Sequence, residues 1–452
     1  MNMTPLARAA VPAFFALLAL VASPLPADAG NTPPRNVIFM VGDGMSFAHV
    51  KAYRMYADDP STDLVEPLPM EQYLVGAVST DSIRLDCSSG DCVRLPHGFT
   101  DSASSATAYA TGHDTIVGHL SVTGAGKPLK TILERAHERG KSTGLVATSE
   151  VTHATPAAFA GHITDRDQQG MIADQYVEAL VLKDPVVDVL LGGGRKHLVR
   201  GENDLMAEFR GAGYEILQNR DELMVSQADR LLGVFAEQGL PRAWDRTPEI
   251  PSLADMTSVA LRTLNRNERG FFLMVEGSQI DWAAHKHSVP GVVSEMEDFV
   301  GAIREVLEFA GQRDDTLVVI TADHETGGMA LGRDNIYYWD ATPLRGMVHT
   351  PKHMTQQFLS TEEPLSSIVA RNVPFKLTPV EVTELDATYD DDRSVRKTLA
   401  KLFNRRTFTA WSSNGHTGAD VPLYVVGPGS EQFGGVMQNE DLGQALQEAF
   451  LP

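Results

Sequence analysis

The chain is predicted to fold as an α/β protein: a doubly wound, mostly parallel central sheet with helices on both faces. Three observations predict this. Short apolar runs of strand length recur along the 452 residues, helix-patterned segments lie between them, and polar residues capable of chemistry fall just after the runs. A parallel strand is covered on both faces, so it reads as a continuous apolar run. Strand–helix alternation builds such a sheet through right-handed crossovers.

The first element in chain order is a targeting segment. Arg8 is the only charged side chain in residues 1–27, and the apolar run AAVPAFFALLALVA follows it. Ala27 and Ala29 flank Asp28 in an A-x-A pattern. The segment therefore reads as a signal peptide over 1–29, cleaved after Ala29. Its apolar run is short of the roughly 20 residues that span a bilayer. An exported mature chain is expected, periplasmic or extracellular, with no membrane association after cleavage and one domain over 30–452.

NVIFMV (36–41) is the first buried strand. Cys87 and Cys92, the only cysteines, lie in LDCSSGDCVRL. In an oxidising compartment this pair is expected to form a disulfide across a Ser-Ser-Gly-Asp turn. GFTDSASSATAYATG (98–112) follows, with small residues able to start a helix and three serines, Ser102, Ser104 and Ser105. KTILERAHERG is helical, TGLVAT (143–148) is a strand, QYVEALVL is helical and DVLLGG (188–193) is a strand. The glycines of LGGGRK match neither phosphate-loop spacing, so they read as a strand-to-loop turn. FFLMVE (271–276), the helix EMEDFVGAIREVLEFAG and TLVVIT (316–321) continue the alternation. Residues 329–411 break it: Tyr, Pro, Thr and charged residues crowd there with no strand–helix pairing, so they read as an insertion. PLYVVG (422–427) and DLGQALQEAF close the chain.

Charge narrows the partners. There are 38 basic and 59 acidic residues, a net charge of −21. Nucleic acid as a general partner is excluded at this level, because phosphate-backbone binding needs a positive footprint.

Ligands in open α/β sheets bind at the carboxyl ends of the strands. Asp43 follows the first strand, and His153 and Thr155 follow TGLVAT. Glu276 ends FFLMVE, with Asp281 and His285 in GSQIDWAAH beyond it. Asp323 and His324 follow TLVVIT, and His416 lies in the loop before PLYVVG. Each is an ordinary turn, cap or surface residue when taken alone; their joint arrival at one sheet edge is not. Asp281 and His285, four apart, share a helix face. Aspartate and histidine ligands without cysteine suit catalytic zinc, and mixed carboxylate–hydroxyl ligands suit magnesium. Two close metals clamp a phosphoryl group. A metal also explains how Ser102 could act as an alkoxide with no histidine beside it in sequence.

VGDGM, TDSASSATA, THATPAAFAGH–ITDR, FFLMVEGSQIDWAAH, TADHETGG and GHTGAD, in that order, resemble the alkaline phosphatase family from about Val37 to the C-terminus. The resemblance implies metal-dependent hydrolysis of small phosphate monoesters through a phosphoserine, with Ser102 as nucleophile. It implies one zinc on Asp281, His285 and His416, a second on Asp43, Asp323 and His324, and a magnesium on Asp43, Thr155 and Glu276. Arg166 would grip two phosphate oxygens, oriented by Asp101. Two positions depart from many bacterial members: His153 stands for an acidic residue, and Trp282 for a lysine. Members are often dimers, which leaves a homodimer open here with the insertion as a candidate contact. Among relatives of similar sheet, sulfatases need a C/S-x-P-x-R segment that TDSASSATA lacks. Diesterases usually lack the arginine clamp and third site. A non-catalytic metal- or phosphate-binding protein would have no use for both Ser102 and Arg166.

Overall fold

The computed structural model describes residues 33–86, 93–181 and 185–451. The expected leader at 1–29 and the expected Cys87–Cys92 pair lie outside the described residues.

Ten strands form one sheet: β1 (Asn36–Gly42), β2 (Leu74–Ser79), β3 (Ser142–Glu150), β4 (Val189–Gly193), β5 (Glu215–Leu217), β6 (Leu231–Val234), β7 (Phe271–Gly277), β8 (Thr316–Thr321), β9 (Val421–Val426) and β10 (Gly435–Gln438). Their spatial order is β10-β2-β9-β8-β1-β7-β3-β4-β6-β5. From β8 through β5 every pairing is parallel. All six expected strands are present, but β9 corrects one expectation. It runs antiparallel to both β8 and β2, although its apolar run was read as parallel. A continuous apolar run reports burial on both faces and carries no information about direction. The remaining four strands escape sequence reading because they are short, contain glycine or are partly exposed.

Strand register sets the functional edge. Beside β1, Val41 is level with Glu276 of β7 and with Thr321 of β8. Glu276 is in turn level with Ala147 of β3. The chain therefore releases Asp43, Glu276 and Asp323 side by side, with the segment carrying His153 and Thr155 next to them. Gly44 makes the turn after β1 possible. Its φ is +73°, and a Cβ there would lie 2.8 Å from Asp281 Cα, so the backbone packs directly onto the Asp281 helix.

Below this edge, Phe39 of β1 is fully buried, 5.2 Å edge-on from Tyr109 and 6.1 Å from Phe159, centroid to centroid. Tyr109 hydroxyl donates to the Ala322 carbonyl at 2.7 Å, which fixes the Ser102–Thr111 helix to the segment after β8. Phe39→Ala is expected to destabilise the fold by about 3–5 kcal/mol, read as a lower urea midpoint at unchanged m-value.

Residues 329–411 are helical over much of their length, where the sequence reading found no pattern. Met329–Leu331 pairs antiparallel with Thr409–Trp411, which brings the ends of the segment together. Between them lie helices Pro351–Ser360, Leu365–Asn372, Pro379–Asp386 and Asp392–Thr407. Their start signals are polar residues and prolines: Thr378 forms a capping box with Glu381, and Asp391 caps the last helix. Cap chemistry and loop composition look alike in a short segment.

Candidate active site

The helix Ser102–Thr111 begins at the sheet edge, capped by Asp101, whose side chain accepts from Ser104 N at 3.0 Å. Its geometry separates the three serines. Ser104 Oγ donates to Asp101 Oδ1 at 2.7 Å and belongs to the cap. Ser105 Oγ donates to the Asp323 carbonyl at 2.8 Å and ties the helix to the metal-ligand candidates. Ser102 Oγ lies 3.3 Å from His324 Nε2, among those candidates. As the first helical residue it also sits at the positive end of the helix dipole.

Ligand atoms gather in three groups at this edge, each with its members within 4.8 Å: Asp281, His285 and His416; Asp43, Asp323 and His324; and Asp43, His153 and Glu276. Asp43 belongs to two of them. His285 Nε2 is 3.2 Å and His416 Nε2 is 3.7 Å from Asp281 Oδ1. His324 Nε2 is 3.3 Å from Asp323 Oδ2 and 3.6 Å from Asp43 Oδ1. The His324 and His416 rings stack at 3.5 Å, so the first two groups are neighbours. A short ribbon makes this possible, for Thr326 pairs with His416 in antiparallel register.

The surroundings set the tautomers. His285 Nδ1 donates to the Asn414 carbonyl at 2.6 Å, and His416 Nδ1 donates to the Thr100 carbonyl at 2.8 Å. A carbonyl only accepts, so each Nδ1 carries the proton and each Nε2 keeps a free lone pair toward Asp281. Thr326 hydroxyl donates to Asp281 Oδ1 at 2.6 Å, and Ser278 hydroxyl donates to Glu276 Oε2 at 2.7 Å. Sequence reasoning did not single out Thr100, Ser278, Thr326 or Asn414. A supporting hydroxyl or carbonyl leaves no pattern in sequence, though Ser278 and Thr326 each lie two residues from a carboxylate or imidazole candidate.

Electrostatically the pocket holds more negative charge than Arg166 can balance. Burial, reinforced by Asp323, Asp281 and Glu276, pushes the Asp43 carboxyl well above its ordinary range. Burial pushes Glu276 up to about 7 despite the Ser278 and Ser149 hydroxyls. Asp323 rises to about 7 through burial, with Asp281 and Glu276 adding repulsion. Burial, then the neighbouring His416 and His285, holds His324 far below the usual imidazole range, so it is neutral. Both Asp43 oxygens, Asp323 Oδ2, Glu276 Oε1, Thr155 Oγ1 and His153 Nδ1 are buried without a hydrogen bond. Buried acceptors in this number demand cations or protons. Oxygen and imidazole donors left unpaired around shared carboxylates fit divalent metals.

Arg166 faces this cluster. Its Nη1 donates to Asp101 Oδ2 at 2.9 Å, and its Nη2 is 3.4 Å from His153 Nε2. Asp101 also accepts from Gly118 N, so the arginine is held by a carboxylate that is itself fixed. Burial opposes ionisation of Asp101, but Arg166 and the Ser104 bonds outweigh it and hold the carboxyl below its ordinary value. Burial, followed by Arg166, drives His153 down to about 3, so its imidazole is neutral. Trp282 stands edge-on to His153 at 5.6 Å. A further group, Asp245, His349 and His353, also converges, but Asp245 is already bonded to Thr350 N.

Comparison with known proteins identifies the family. The family model described as Alkaline phosphatase matches residues 34–451. Alkaline phosphatase 3 of Bacillus subtilis (strain 168) is 40% identical over 420 residues, which cover 92% of this chain and 88% of that protein. The cold-active alkaline phosphatase of the psychrophile Shewanella sp. superposes with a TM-score of 0.83 at 34% identity, covering 92% of this chain and all of that one. The Thermus thermophilus alkaline phosphatase superposes with a TM-score of 0.79 at 27% identity, covering 92% and 91%. On the match to nearly its whole described length, the chain belongs to the alkaline phosphatase family and is a metal-dependent hydrolase of phosphate monoesters.

Proposed function

We propose that hydrolysis proceeds by two displacements at phosphorus, with Ser102 as the nucleophile. The carrying observation is that Ser102 alone of the three serines is free of cap and packing bonds and lies beside His324. Asp281, His285 and His416 would hold one zinc, and Asp43, Asp323 and His324 a second. Asp43, Thr155 and Glu276 would hold a magnesium, with His153 beside it. Cations bound there would lower the pKa of the serine hydroxyl and of water and neutralise charge on the departing oxygen.

The chain's own groups do the positioning. Ser102 Oγ attacks in line; its bond to phosphorus forms as the ester oxygen leaves, and the alcohol departs with a proton. Arg166 donates through its planar fork to two non-bridging oxygens, and backbone N–H groups at the helix start add to it. Water then cleaves the phosphoserine, which restores the hydroxyl and releases inorganic phosphate. Two in-line steps invert phosphorus twice. A monoester made chiral at phosphorus with oxygen isotopes is expected to give phosphate of retained configuration; inverted product would mean direct attack by water.

Arg166→Lys is expected to lower kcat/KM on a simple monoester by about 10- to 100-fold, because lysine is a point donor and cannot match the bidentate grip. Steady-state kinetics on wild type and variant check this.

We also propose that the chain is exported, with a leader over 1–29 and a Cys87–Cys92 disulfide formed after export. The supporting observations are the A-x-A site behind a short apolar run and the even cysteine count. Among the described residues no helix is long and apolar enough to cross a membrane.

A further inference from the structure

Beyond the Asp281–His285–His416 group the surface becomes basic. A groove of about 920 Å³ begins at Trp282 and His285 and runs along the helix Asp392–Thr407. Lys286, Arg393, Arg396, Lys397 and Lys401 line it, and no carboxylate among the described residues does. The helical cations fall at positions 393, 396, 397 and 401, so they form one stripe. Acids outnumber bases 59 to 38 in this chain, which makes five cations without an acid a marked local reversal.

The cations are not all neutralised from outside the groove. Arg396 pairs with Asp392, and Lys401 lies 3.2 Å from Glu384. Lys286 and Lys397 are exposed, and their side chains make no hydrogen bond or ion pair among the described residues. Like charges on neighbouring turns repel each other, and an anion seated between them relieves that repulsion.

The groove adjoins the reaction site, because His285 belongs to both. Ser102 lies on the His324 side, so in-line attack sends the departing oxygen toward the Asp281–His285–His416 side. We infer that the groove is a second anion subsite, which binds a second phosphate carried by the leaving group and makes bisphosphorylated small molecules preferred substrates. This rests on the proposed attack by Ser102 and the leaving-group side it implies.

The test compares glucose 6-phosphate with fructose 1,6-bisphosphate, using the whole metal-loaded enzyme and the double variant Arg393→Ser/Lys397→Gln. Both replaced side chains are exposed and lie outside the metal groups. Wild type is expected to favour the bisphosphate in kcat/KM, chiefly through KM, with the preference eroding as salt is raised. The double variant is expected to lose about tenfold on the bisphosphate while the monophosphate stays within about twofold, the size of an anchoring charge effect at a partly exposed site. Equal kcat/KM on the two esters in wild type would overturn the subsite, and so would an equal loss on both in the variant. Turnover of neither ester by wild type would instead remove the catalytic reading, and the subsite with it.

Discussion

Ser102→Ala is expected to lower kcat on phosphate monoesters by at least about 10³-fold, the scale seen when a covalent nucleophile is removed. Little else should change. Ser102 accepts no cap bond, since the cap is made by Asp101, and alanine is a good helix former. Its hydroxyl contacts His324 but does not hold the Asp323–His324 segment, which Ser105 ties to the helix through the Asp323 backbone carbonyl. The variant is therefore expected to keep its Tm within a few degrees and to retain its bound metal. Turnover by the alanine variant at the wild-type rate would remove Ser102 from the mechanism. A collapse of Tm or metal content would show that its role is structural.

Chelation is the second large effect. Stripping the metals is expected to abolish activity, with recovery on adding zinc and magnesium. It is also expected to lower stability by about 4 kcal/mol for each site that had been held near 10³ times its Kd. The pH dependence carries more information. Glu276 and Asp323 have folded pKa values pushed up to about 7 without cations, against about 4 in the unfolded chain. The folded, stripped protein thus binds more protons than the unfolded one across that window. Its stability is full below about pH 4, falls as pH rises toward about 7 and levels off above. Metal competes with those same protons, so the metal-loaded protein gains relative to the stripped one over the same range. Calorimetric Tm at a series of pH values, with and without chelator, checks both signs. A stripped protein that became more stable from pH 5 to pH 8 would contradict the carboxylate crowding.

Much of this site was legible because a parallel sheet converts sequence position into spatial position. Asp43, Glu276 and Asp323 each follow an apolar run, and the register of β1, β7 and β8 makes that shared place a shared location. Residues reached by other routes were less legible. His416 arrives through a two-residue ribbon, and nothing in NGHTGAD announces its partner. Choosing among Ser102, Ser104 and Ser105 required the resemblance, since composition is blind to which hydroxyl is spent in a cap. The direction of β9 and the helices of 329–411 were missed for related reasons: burial does not encode direction, and caps look like loops. The basic stripe was hidden for a different reason. Its cations sit on a helix within that misread segment, and the net charge of −21 averages it away.

The most direct measurement is a rapid acid quench of the metal-loaded enzyme with an excess of a phosphomonoester, followed by mass spectrometry of its peptides. Double displacement predicts one phosphoryl group on the peptide containing Ser102, present during turnover and absent from Ser102→Ala. A phosphoryl group on another residue, or a fully active enzyme that never carries one, would contradict it.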